Sequence, residues 1–313
     1  MAGSLHCGSV TDPGAVFQQE RPRLVGLAYR ILGSRLDAED VVQEAWVRFQ
    51  RQDDPGAIHR PEAWLTTVVS RLALDHLRSA RHRRETYVGP WLPEPVLTGP
   101  TGGTSGSAEL DPAVAAELAE TLTFGFLTVL ERLSPVERVV FLLADVFDVP
   151  FADIATTVGR SPAACRQVAS RARRRIRSER PVTDQSRAHQ RDRAVLDELI
   201  AATAAGEIDH VMRLLSEDAV LLSDGGTTVR AARNPVVGPH RIARFLVGLA
   251  HRGLTELHVE PVELNGEPGL VLSTRRGPFL ALAAEVHDGV VTALHMIRAP
   301  EKLASLSLDT PLH

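Results

Sequence analysis

The sequence has few cysteines and almost no lysine. Only Cys7 and Cys165 occur, far apart and without companion cysteine or histidine at metal-ligand spacing. Neither a disulfide framework nor a zinc site is therefore predicted, and both thiols are expected to be free. Of the 35 basic residues only Lys302 is lysine, so the remaining cations are arginines. No metal ion and no cofactor is expected.

The sequence also lacks any apolar run of the roughly 18 residues that a membrane span requires. Its first eleven residues contain no basic stretch followed by an apolar one, so no secretory signal is predicted and the cytoplasm is the expected location, without a membrane partner. Hydrophobic residues at 44% and charged residues at 24% exclude wholesale disorder. A chain of 313 residues exceeds what one core usually supports, which indicates two or three domains.

The net charge of −4 conceals a reversal of sign along the chain. Residues 89–158 contain two arginines against ten acidic residues, whereas residues 159–180 contain eight arginines against Glu179 alone. Such a change within a short stretch is typical of a polyanion-binding element on an otherwise acidic protein. Nucleic acid is therefore the leading candidate partner.

The first 88 residues are predicted to form a helical domain. Apolar residues recur at helical spacing from Pro13 onward, and the Asp53-Asp54-Pro55-Gly56 break precedes a long helix over about 62–84. A stretch rich in Gly, Pro, Ser and Thr over 89–112 is predicted to be a flexible linker. A second helical domain is expected over 113–180, in which Ser134, Pro135 and Glu137 form a capping box.

After a short linker over 181–190, residues 191–313 show a different pattern. Helices are predicted over about 192–205, 208–215 and 238–252, with strand-like runs at 219–222, 256–264, 269–274, 278–286 and 290–298. Asn265-Gly266 and Asp288-Gly289 are two-residue hairpin signals between these strands. The third domain is therefore predicted to be α+β.

The arginine-rich segment has the pattern of a helix-turn-helix. One short helix should end at Gly159, and the next should begin with Ser161 as N-cap and Pro162 in its first turn. Ala164, Val168 and Ala172 on the second helix can then face the core. The side chains on its opposite side carry mainly guanidinium and amide groups, which are suited to base edges and phosphate. The residues expected to contact DNA are Ser161, Arg166, Gln167, Ser170, Arg171, Arg173 and Arg174. A solvated arginine-rich helix end is the alternative.

Two segments resemble bacterial sigma factors. Residues 37–46, which read DAEDVVQEAW, are similar to the region 2 helix, and residues 133–175 are similar to region 4. With only these regions present, the chain resembles the extracytoplasmic-function (ECF) group of RNA polymerase sigma factors. Three further motifs, WLPEP at 91–95, DGG at 224–226 and PEKL at 300–303, resemble those of members with a C-terminal SnoaL-like domain, the sigma factor J type. Thr227-Thr228 and Ala299-Pro300-Glu301 depart from the family pattern.

The resemblance implies two all-α domains followed by an α+β SnoaL/NTF2-like cone-shaped domain. It implies an alternative sigma factor that binds core RNA polymerase, at the β′ clamp helices and the β flap, and directs promoter-specific initiation. The implied docking residues for the clamp helices are Asp37, Glu39, Asp40, Gln43 and Glu44. An acidic and amide face beside Val41 and Trp46 suits a basic partner helix.

The resemblance further implies that residues 51–61 and the following helix read the promoter −10 element, while region 4 reads the −35 element. Candidates for the −10 contacts are His59, Arg60, Trp64, Arg71, His76 and Arg78. Single-stranded binding needs cations for the backbone and a flat side chain or pocket for a base. Trp64 by itself is expected to pack inward, as aromatic residues at helical spacing usually do.

The third domain is expected to regulate the two helical domains by contacting them. The implied contact residues are Trp91, Leu92, Pro93, Glu94, Pro95, Asp224, Gly225, Gly226, Pro300, Glu301, Lys302 and Leu303. If the linker lets the helical domains collapse on each other, the free protein is a monomer that binds promoter DNA poorly until polymerase separates them.

Two other functions stay open from the sequence. A ligand-responsive helix-turn-helix repressor would bind its operator without polymerase, usually as a symmetric dimer, with a small molecule in the C-terminal domain. A cyclase or isomerase fused to a DNA-binding module would draw on titratable or charged residues of the third domain: Asp209, His210, Asp224, His295 and Arg298. No nucleophile and base occur at a diagnostic spacing, so no catalytic residue is assigned and His295 is expected to be a hydrogen-bonded strand residue.

Overall fold

The computed structural model describes residues 13–52, 58–84, 87, 89–98, 122–179, 189–251 and 257–306. Two compact units contain them, one of Met1–Ser79 with Leu133–Arg175 and the other of Ala80–Arg132 with Ile176–His313. Several predicted features lie outside the described residues. They are Cys7, residues 99–112 of the predicted flexible linker, the predicted helical start over 113–121 and residues 181–188 of the second linker.

In chain order the helices are α1 (Pro13–Leu32), α2 (Arg35–Gln50), α3 (Pro61–Arg84), α4 (Phe124–Glu131), α5 (Pro135–Phe141), α6 (Phe151–Val158), α7 (Pro162–Glu179), α8 (His189–Ala205), α9 (Ile208–Arg213), α10 (Pro239–Ala250) and α11 (Pro300–Leu303). A π-helical turn, Leu142–Val146, follows α5, and a 3₁₀ turn, Ala304–Leu306, follows α11. The strands are β1 (Leu97–Thr98), β2 (Leu215–Asp224), β3 (Val236–Val237), β4 (His258–Leu264), β5 (Glu267–Thr274), β6 (Gly277–His287) and β7 (Val290–Ile297).

The first unit is helical, as predicted. Its three N-terminal helices bury an apolar stripe, in which Leu27, Ile31 and Leu65 have no exposed surface. Ser34 caps the start of α2 by accepting a hydrogen bond from the Asp37 N–H at 3.2 Å. This cap fixes where α2 begins and therefore which of its side chains point away from the bundle.

The helix-turn-helix is confirmed. The α6 helix ends at Gly159, whose φ of 67° lies in the left-handed region that favours glycine. The α7 helix begins after Ser161, whose hydroxyl accepts the Ala164 N–H at 3.2 Å. Upstream, Ser134 and Glu137 form the predicted capping box at the start of α5. The turn and both caps fix the direction of α7.

Two buried arginines join the helices of the first unit. The Arg138 side chain, on α5, donates to the Ile31 carbonyl at the end of α1 over 2.8 Å and is 1% exposed. Arg30 lies over the Phe147 ring at 5.8 Å, and its burial lowers the pKa of its guanidinium to about 10. Residues 133–175 belong to the same compact unit as residues 1–79. The division into helical domains at 1–88 and 113–180 stays a prediction.

The second unit is built on one sheet, with strand order β1-β4-β5-β6-β7-β2-β3. Among the strands of the described residues, β2 and β7 pair in parallel and the other pairings are antiparallel. Both hairpin signals are confirmed, because Asn265 and Gly266 have φ of 54° and 76° and Asp288 and Gly289 have φ of 50° and 79°. The domain is α+β, as the sequence predicts, with helices packed on one face of the sheet.

The two faces of this sheet are covered differently. One face packs under α8, α9 and α10, with Leu282 and Leu294 among its buried side chains. The opposite face carries Val271 and Ala283, which pack with Leu92 and Phe124 from the segment that precedes the domain in sequence. The second face is therefore the one on which residues outside 191–313 dock.

Part of the predicted flexible linker is ordered, and this is a correction. Residues 91–98 lie along the sheet, where β1 pairs with β4 through Leu97 with Leu264 and Thr98 with Glu263. Leu92 is fully buried. The composition of 89–112 as a whole indicates disorder, but its first ten residues carry apolar side chains that the sheet face covers and main-chain groups that β4 pairs.

Candidate nucleic-acid interface

The α7 helix presents a polar face to solvent. Its apolar stripe, formed by Cys165, Val168, Ala169 and Ala172, has at most 2% exposure and holds the helix on the first unit. Five of the predicted DNA contacts on the helix itself are exposed: Arg166, Gln167, Ser170, Arg171 and Arg174. A helix so arranged can enter the major groove and offer guanidinium to guanine and amide to adenine.

Arg173 differs from the other arginines of this set. Its Nε donates to the Asp145 carboxylate over 2.6 Å, and Asp145 lies in the π-helical turn after α5. Two residues further on, Arg175 Nη1 lies 3.9 Å from Glu137 Oε2. These pairs attach the middle of α7 to the preceding helices. Of the predicted DNA-contacting residues, Arg173 is therefore the one that also holds α7 in place.

Arg166 lies near the turn, with its guanidinium 5.5 Å from the centroid of the Phe151 ring. Phe151 begins α6, and a cation over an aromatic face is attracted by the ring quadrupole. The contact connects the first residue of one helix of the motif with the second turn of the other. It restricts where this exposed guanidinium can reach.

The predicted polymerase-docking residues share one helix. Asp40, Gln43 and Glu44 are exposed on α2, whereas Asp37 and Glu39 are half-buried. Arg35 pairs with Glu39 at 3.1 Å, and Arg48 pairs with Glu44 at 2.9 Å, both across one helical turn. Exposed pairs of this kind contribute little to stability, so they leave the carboxylates accessible to a partner.

Leu36, which the sequence did not single out, is 67% exposed at the start of α2. It is one of the large apolar side chains that the described part of the chain leaves in solvent. An apolar side chain with charged neighbours is the arrangement found at protein interfaces. The signal that could have found it is an apolar residue placed between an N-cap and an acidic turn.

The predicted −10 residues lie on α3 and just before it. His59, Arg60, Arg71 and Arg78 are exposed, whereas Trp64 and His76 are half-buried. The Trp64 ring packs on Phe49 with centroids 5.4 Å apart, and His76 Nε2 lies 3.9 Å from Asp37 Oδ1. Trp64 therefore packs inward, as its helical spacing suggests.

Two of these cations contact the helix-turn-helix within the same unit. Arg71 donates to the Thr156 carbonyl over 2.7 Å, and Arg60 Nη1 lies 3.8 Å from Asp153 Oδ2. Thr156 and Asp153 both belong to α6. Side chains assigned to −10 recognition are thus held by the element that carries α7.

A buried cluster in the second unit gathers the three family motifs. The Asp224 carboxylate, with no exposed surface, accepts the Leu92 N–H at 2.8 Å, the Gly226 N–H at 2.9 Å and the Tyr87 hydroxyl. Lys302 Nζ lies 2.8 Å from Asp224 Oδ2, donates to the Leu92 carbonyl and sits 4.1 Å from the Trp91 ring centroid. We call Tyr87, Trp91, Leu92, Asp224 and Lys302 the Asp224 cluster.

Tyr87 was missed by the sequence analysis, because it stands four residues before the WLPEP motif. Burial raises the pKa of its hydroxyl, and the hydrogen bond to the Asp224 carboxylate raises it further. The phenol therefore stays protonated and keeps donating. A single aromatic residue between a basic helix end and a proline-rich motif gives no periodic signal.

The remaining motif residues surround this cluster. Gly226 has a φ of 66°, and a Cβ there would lie 2.5 Å from Glu301 Oε1, so the loop needs glycine. At Gly225 a Cβ would collide with the Val229 carbonyl. The buried residues Pro93, Glu94 and Pro95 continue from Leu92, Pro300 begins α11, and Leu303 packs in the same apolar cluster as Leu92.

Asn265 is a second anchor that the sequence analysis treated only as a turn residue. It is fully buried, its side chain accepts the Val96 N–H at 2.9 Å, and it donates to the Leu122 carbonyl at 3.0 Å. The neighbouring Gly266 N–H donates to the Thr98 hydroxyl at 2.8 Å. One hairpin turn thus binds main-chain groups on both sides of residues 99–121.

Four of the titratable or charged candidates in the third domain, His210, Asp224, His295 and Arg298, make contacts within the domain. His295 lies on β7, where Nε2 is 2.7 Å from Glu285 Oε1 and the ring stacks on Phe124 with centroids 5.3 Å apart. Asp224 holds the cluster described above, and its main-chain carbonyl accepts the Arg298 N–H at 2.6 Å. His210, on α9 with Asp209, lies between Glu198 and Glu207, whose hydrogen bonds raise the pKa of its imidazole. In the described parts of the chain, no three His, Cys, Asp or Glu side chains are placed to hold a metal ion.

A helix-turn-helix with an exposed guanidinium and amide face, joined to an acidic-faced helix and a SnoaL-like domain, defines the class of sigma-type transcription initiation factors. The family profile "Sigma-70 region 2" matches residues 16–83, and "Sigma-70, region 4" matches residues 124–176. With the relatives described next, these matches show that the chain belongs to the ECF family of RNA polymerase sigma factors.

Relatives match over nearly the whole chain. ECF RNA polymerase sigma factor SigJ of Mycobacterium tuberculosis is 42% identical over 304 residues, covering 93% of each chain. The probable ECF sigma factor SigI of the same organism is 34% identical over 299 residues, covering 95% of this chain and 97% of its own. The crystal structure of SigJ superposes with a TM-score of 0.73 at 40% identity, covering 96% of this chain and all of that one. No helix in the described residues is long and apolar enough to span a membrane.

Proposed function

We propose that this ECF sigma factor carries core RNA polymerase to a −35 element through the exposed face of α7. The observation that carries the proposal is the pairing of a buried apolar stripe with exposed Arg166, Gln167, Arg171 and Arg174 on one helix behind a helix-turn-helix turn. Arg and Gln are suited to guanine and adenine edges, and the other guanidinium groups are suited to phosphate.

The second part of the proposal concerns the −10 element and the polymerase. Residues 51–61 and α3 bind the opened strand, with His59, Arg60, Arg71 and Arg78 supplying exposed hydrogen-bonding and cationic groups. The exposed Asp40, Gln43 and Glu44, with Leu36 beside them, dock on the β′ clamp helices, and region 4 engages the β flap. The opened strand binds to residues 51–61 and α3 only after α2 has docked on polymerase, because polymerase holds the promoter DNA next to them.

The contacts inside the first unit support a closed free state. Arg71 and Arg60 contact α6, and Arg138 binds the end of α1. A −10 read-out by Arg71 requires its bond to the Thr156 carbonyl to break. Polymerase separates these elements by binding the open arrangement more tightly, and the free protein is a monomer with low promoter affinity.

The C-terminal domain acts as a regulator within the same chain, in a binding role without catalysis. Asp224 and Lys302 hold Tyr87, Trp91 and Leu92, and Asn265 holds Val96 and Leu122. These attachments fix both ends of the segment that joins regions 2 and 4. The domain thereby limits how far the two regions can separate.

In vitro transcription with purified core polymerase tests the proposal. Addition of the full chain should produce specific start sites, and the paired substitution Arg171→Ala and Arg174→Ala should reduce their yield while leaving core binding intact. Start sites that do not depend on the added chain would contradict the sigma function. A repressor would instead bind its operator tightly without polymerase, so promoter affinity measured with and without core separates these functions.

A further inference from the structure

The sheet edge opposite β1 borders a stretch without carboxylates. From Gly225 to His251 the chain contains no Asp or Glu, although 39 of its 313 residues are acidic, so about three would be expected by composition. The same stretch contains four arginines and two histidines. Arginines are common throughout this chain, so their presence here says little by itself. The absence of acidic residues is the informative feature, because it leaves the positive charge of this stretch uncompensated.

The sheet topology brings these cations to one side. Strand β3 is the last in the sheet, with Val236 opposite Leu221 and Val237 opposite Val220. To reach β3, the chain that leaves β2 at Asp224 must come back by three residues of that strand, or about 10 Å at the usual rise per residue. Arg230 and Arg233 are exposed on this return.

The α10 helix follows directly and presents further cations. Ile242, Ala243, Leu246 and Val247 are buried against the sheet, which turns the other side of the helix to solvent. His240, Arg241 and Arg244 are exposed there, at spacings of three and four that place them on one helix face. We call Arg230, Arg233, His240, Arg241 and Arg244 the basic edge.

The main chain of the basic edge is fixed by contacts within the domain. Arg298 Nη1 donates to the Arg230 carbonyl over 2.9 Å, and the Val229 N–H donates to the Gly225 carbonyl over 3.0 Å. An ordered loop and helix lose little conformational entropy when a partner binds.

Carboxylates border this edge at its ends. Glu301 lies over Gly226, and Asp224 is paired with Lys302. The exposed Glu217 and Asp218 precede Ala219, whose carbonyl accepts the Gly238 N–H at 2.9 Å. The cations between these points therefore have no acidic residue in their own segment.

The position of the edge along the chain favours DNA as its partner. A Cβ at Gly89 would lie 3.4 Å from the Arg233 Cα, and Gly89 follows the last residue of α3 by five residues. Five residues span at most about 18 Å, so the edge lies within that reach of the end of α3. By the proposed function α3 binds the −10 element, so DNA that continues past the C-terminal end of α3 is the partner that this reach favours.

We propose that the basic edge is a phosphate-binding surface for promoter DNA, through which the C-terminal domain adds backbone contacts to those of α7. The inference rests on the proposed function and goes beyond it, since it gives the regulatory domain its own DNA contact. Phosphate contacts carry no base information, so they raise the affinity for every promoter alike. Because α7 is in the same chain, weak contacts suffice once the polymerase complex is on DNA.

The test uses holoenzyme assembled from core polymerase and full-length chain. Two charge-reversal pairs, Arg230→Glu with Arg233→Glu and Arg241→Glu with Arg244→Glu, are compared with Arg275→Glu and Arg276→Glu in the exposed β5–β6 turn of the same domain. The promoter dissociation constant is measured as a function of salt. Each lost phosphate contact should flatten the log–log slope by about 0.9, so each pair should flatten it by about 1–2 and weaken binding roughly tenfold at low salt.

The control pair should leave both the slope and the affinity at wild-type values. A slope for the basic-edge pairs equal to that of the control pair overturns the inference. So does weaker core binding with an unchanged salt slope of the assembled holoenzyme, which would identify an acidic protein surface as the partner. Thermal unfolding of each variant and the milder Arg→Gln pairs separate loss of contact from loss of fold. If wild-type chain directs initiation and only the basic-edge result fails, the proposed function still stands.

Discussion

Lys302 Nζ lies 2.8 Å from Asp224 Oδ2 and also binds the carbonyl of Leu92, 210 residues earlier in the chain. Both charged groups are buried, and Asp224 has no exposed surface. A buried ion pair is costly to form, but its remaining lone pairs are satisfied here by the Leu92 and Gly226 N–H groups and the Tyr87 hydroxyl. The pair therefore specifies which main-chain segment the domain holds.

Removing the carboxylate should be more harmful than removing both charges. Asp224→Asn leaves the Lys302 ammonium buried and unpaired, which should lower the free energy of unfolding by about 3–5 kcal/mol. The double variant Asp224→Asn with Lys302→Met should lose less than Asp224→Asn alone, because no uncompensated charge remains. Urea unfolding measures both values. Equal losses in the single and double variants would contradict the expected cost of a buried, unpaired ammonium.

Two glycines of the C-terminal domain should respond in opposite directions to alanine. Gly226→Ala forces a Cβ into the left-handed region beside Glu301 and Ala299, and should cost about 1–2 kcal/mol. Gly248→Ala, on the exposed side of α10 where a Cβ meets nothing within 4 Å, should stabilise by about 0.5–1 kcal/mol. Thermal unfolding of the two variants, side by side, checks the contrast.

Helix caps and tight turns were predicted correctly because each depends on the conformational preferences of a few adjacent residues. The cap at Ser161, the turn at Gly159 and the Asn265-Gly266 hairpin each depend on a few adjacent residues. The composition of 89–112 did not predict that residues 91–98 are ordered, because the partners of Leu92 and Val96 are 132 and 169 residues away in sequence. Contacts through Trp91–Pro95 were implied only by the family resemblance. Arg138 was missed as a link between helices for the same reason, since its acceptor is 107 residues away.

The capping box of α5 should make stability depend on pH in the acid range. Partial burial raises the pKa of Glu137, but its hydrogen bonds from Ser134 and the nearby Arg175 outweigh this and hold the pKa below its ordinary value of 4.5. A carboxyl whose folded pKa is lowered stabilises the fold above its unfolded pKa, and this contribution disappears as pH falls through the folded value. Glu137→Gln should therefore lose stability relative to wild type at pH 7 and lose progressively less as the pH falls below 4.5. A constant difference across this range in urea unfolding would contradict the assignment.

Arg173 and Arg174 should affect DNA binding in different ways although they are adjacent. Arg173 is bound to Asp145 at 2.6 Å and is half-buried, whereas Arg174 is exposed. Arg174→Ala should flatten the salt dependence of holoenzyme binding to promoter DNA by about one phosphate contact. Arg173→Ala should leave the slope unchanged and weaken binding by loosening α7, and Asp145→Asn should do the same. If Arg173 acts through Asp145, the double variant of these two residues should be no weaker than either single variant, whereas Asp145→Asn and Arg174→Ala should add. If Arg173→Ala flattened the salt dependence as much as Arg174→Ala does, its guanidinium would contact phosphate and Arg173 would belong to the DNA-contacting set.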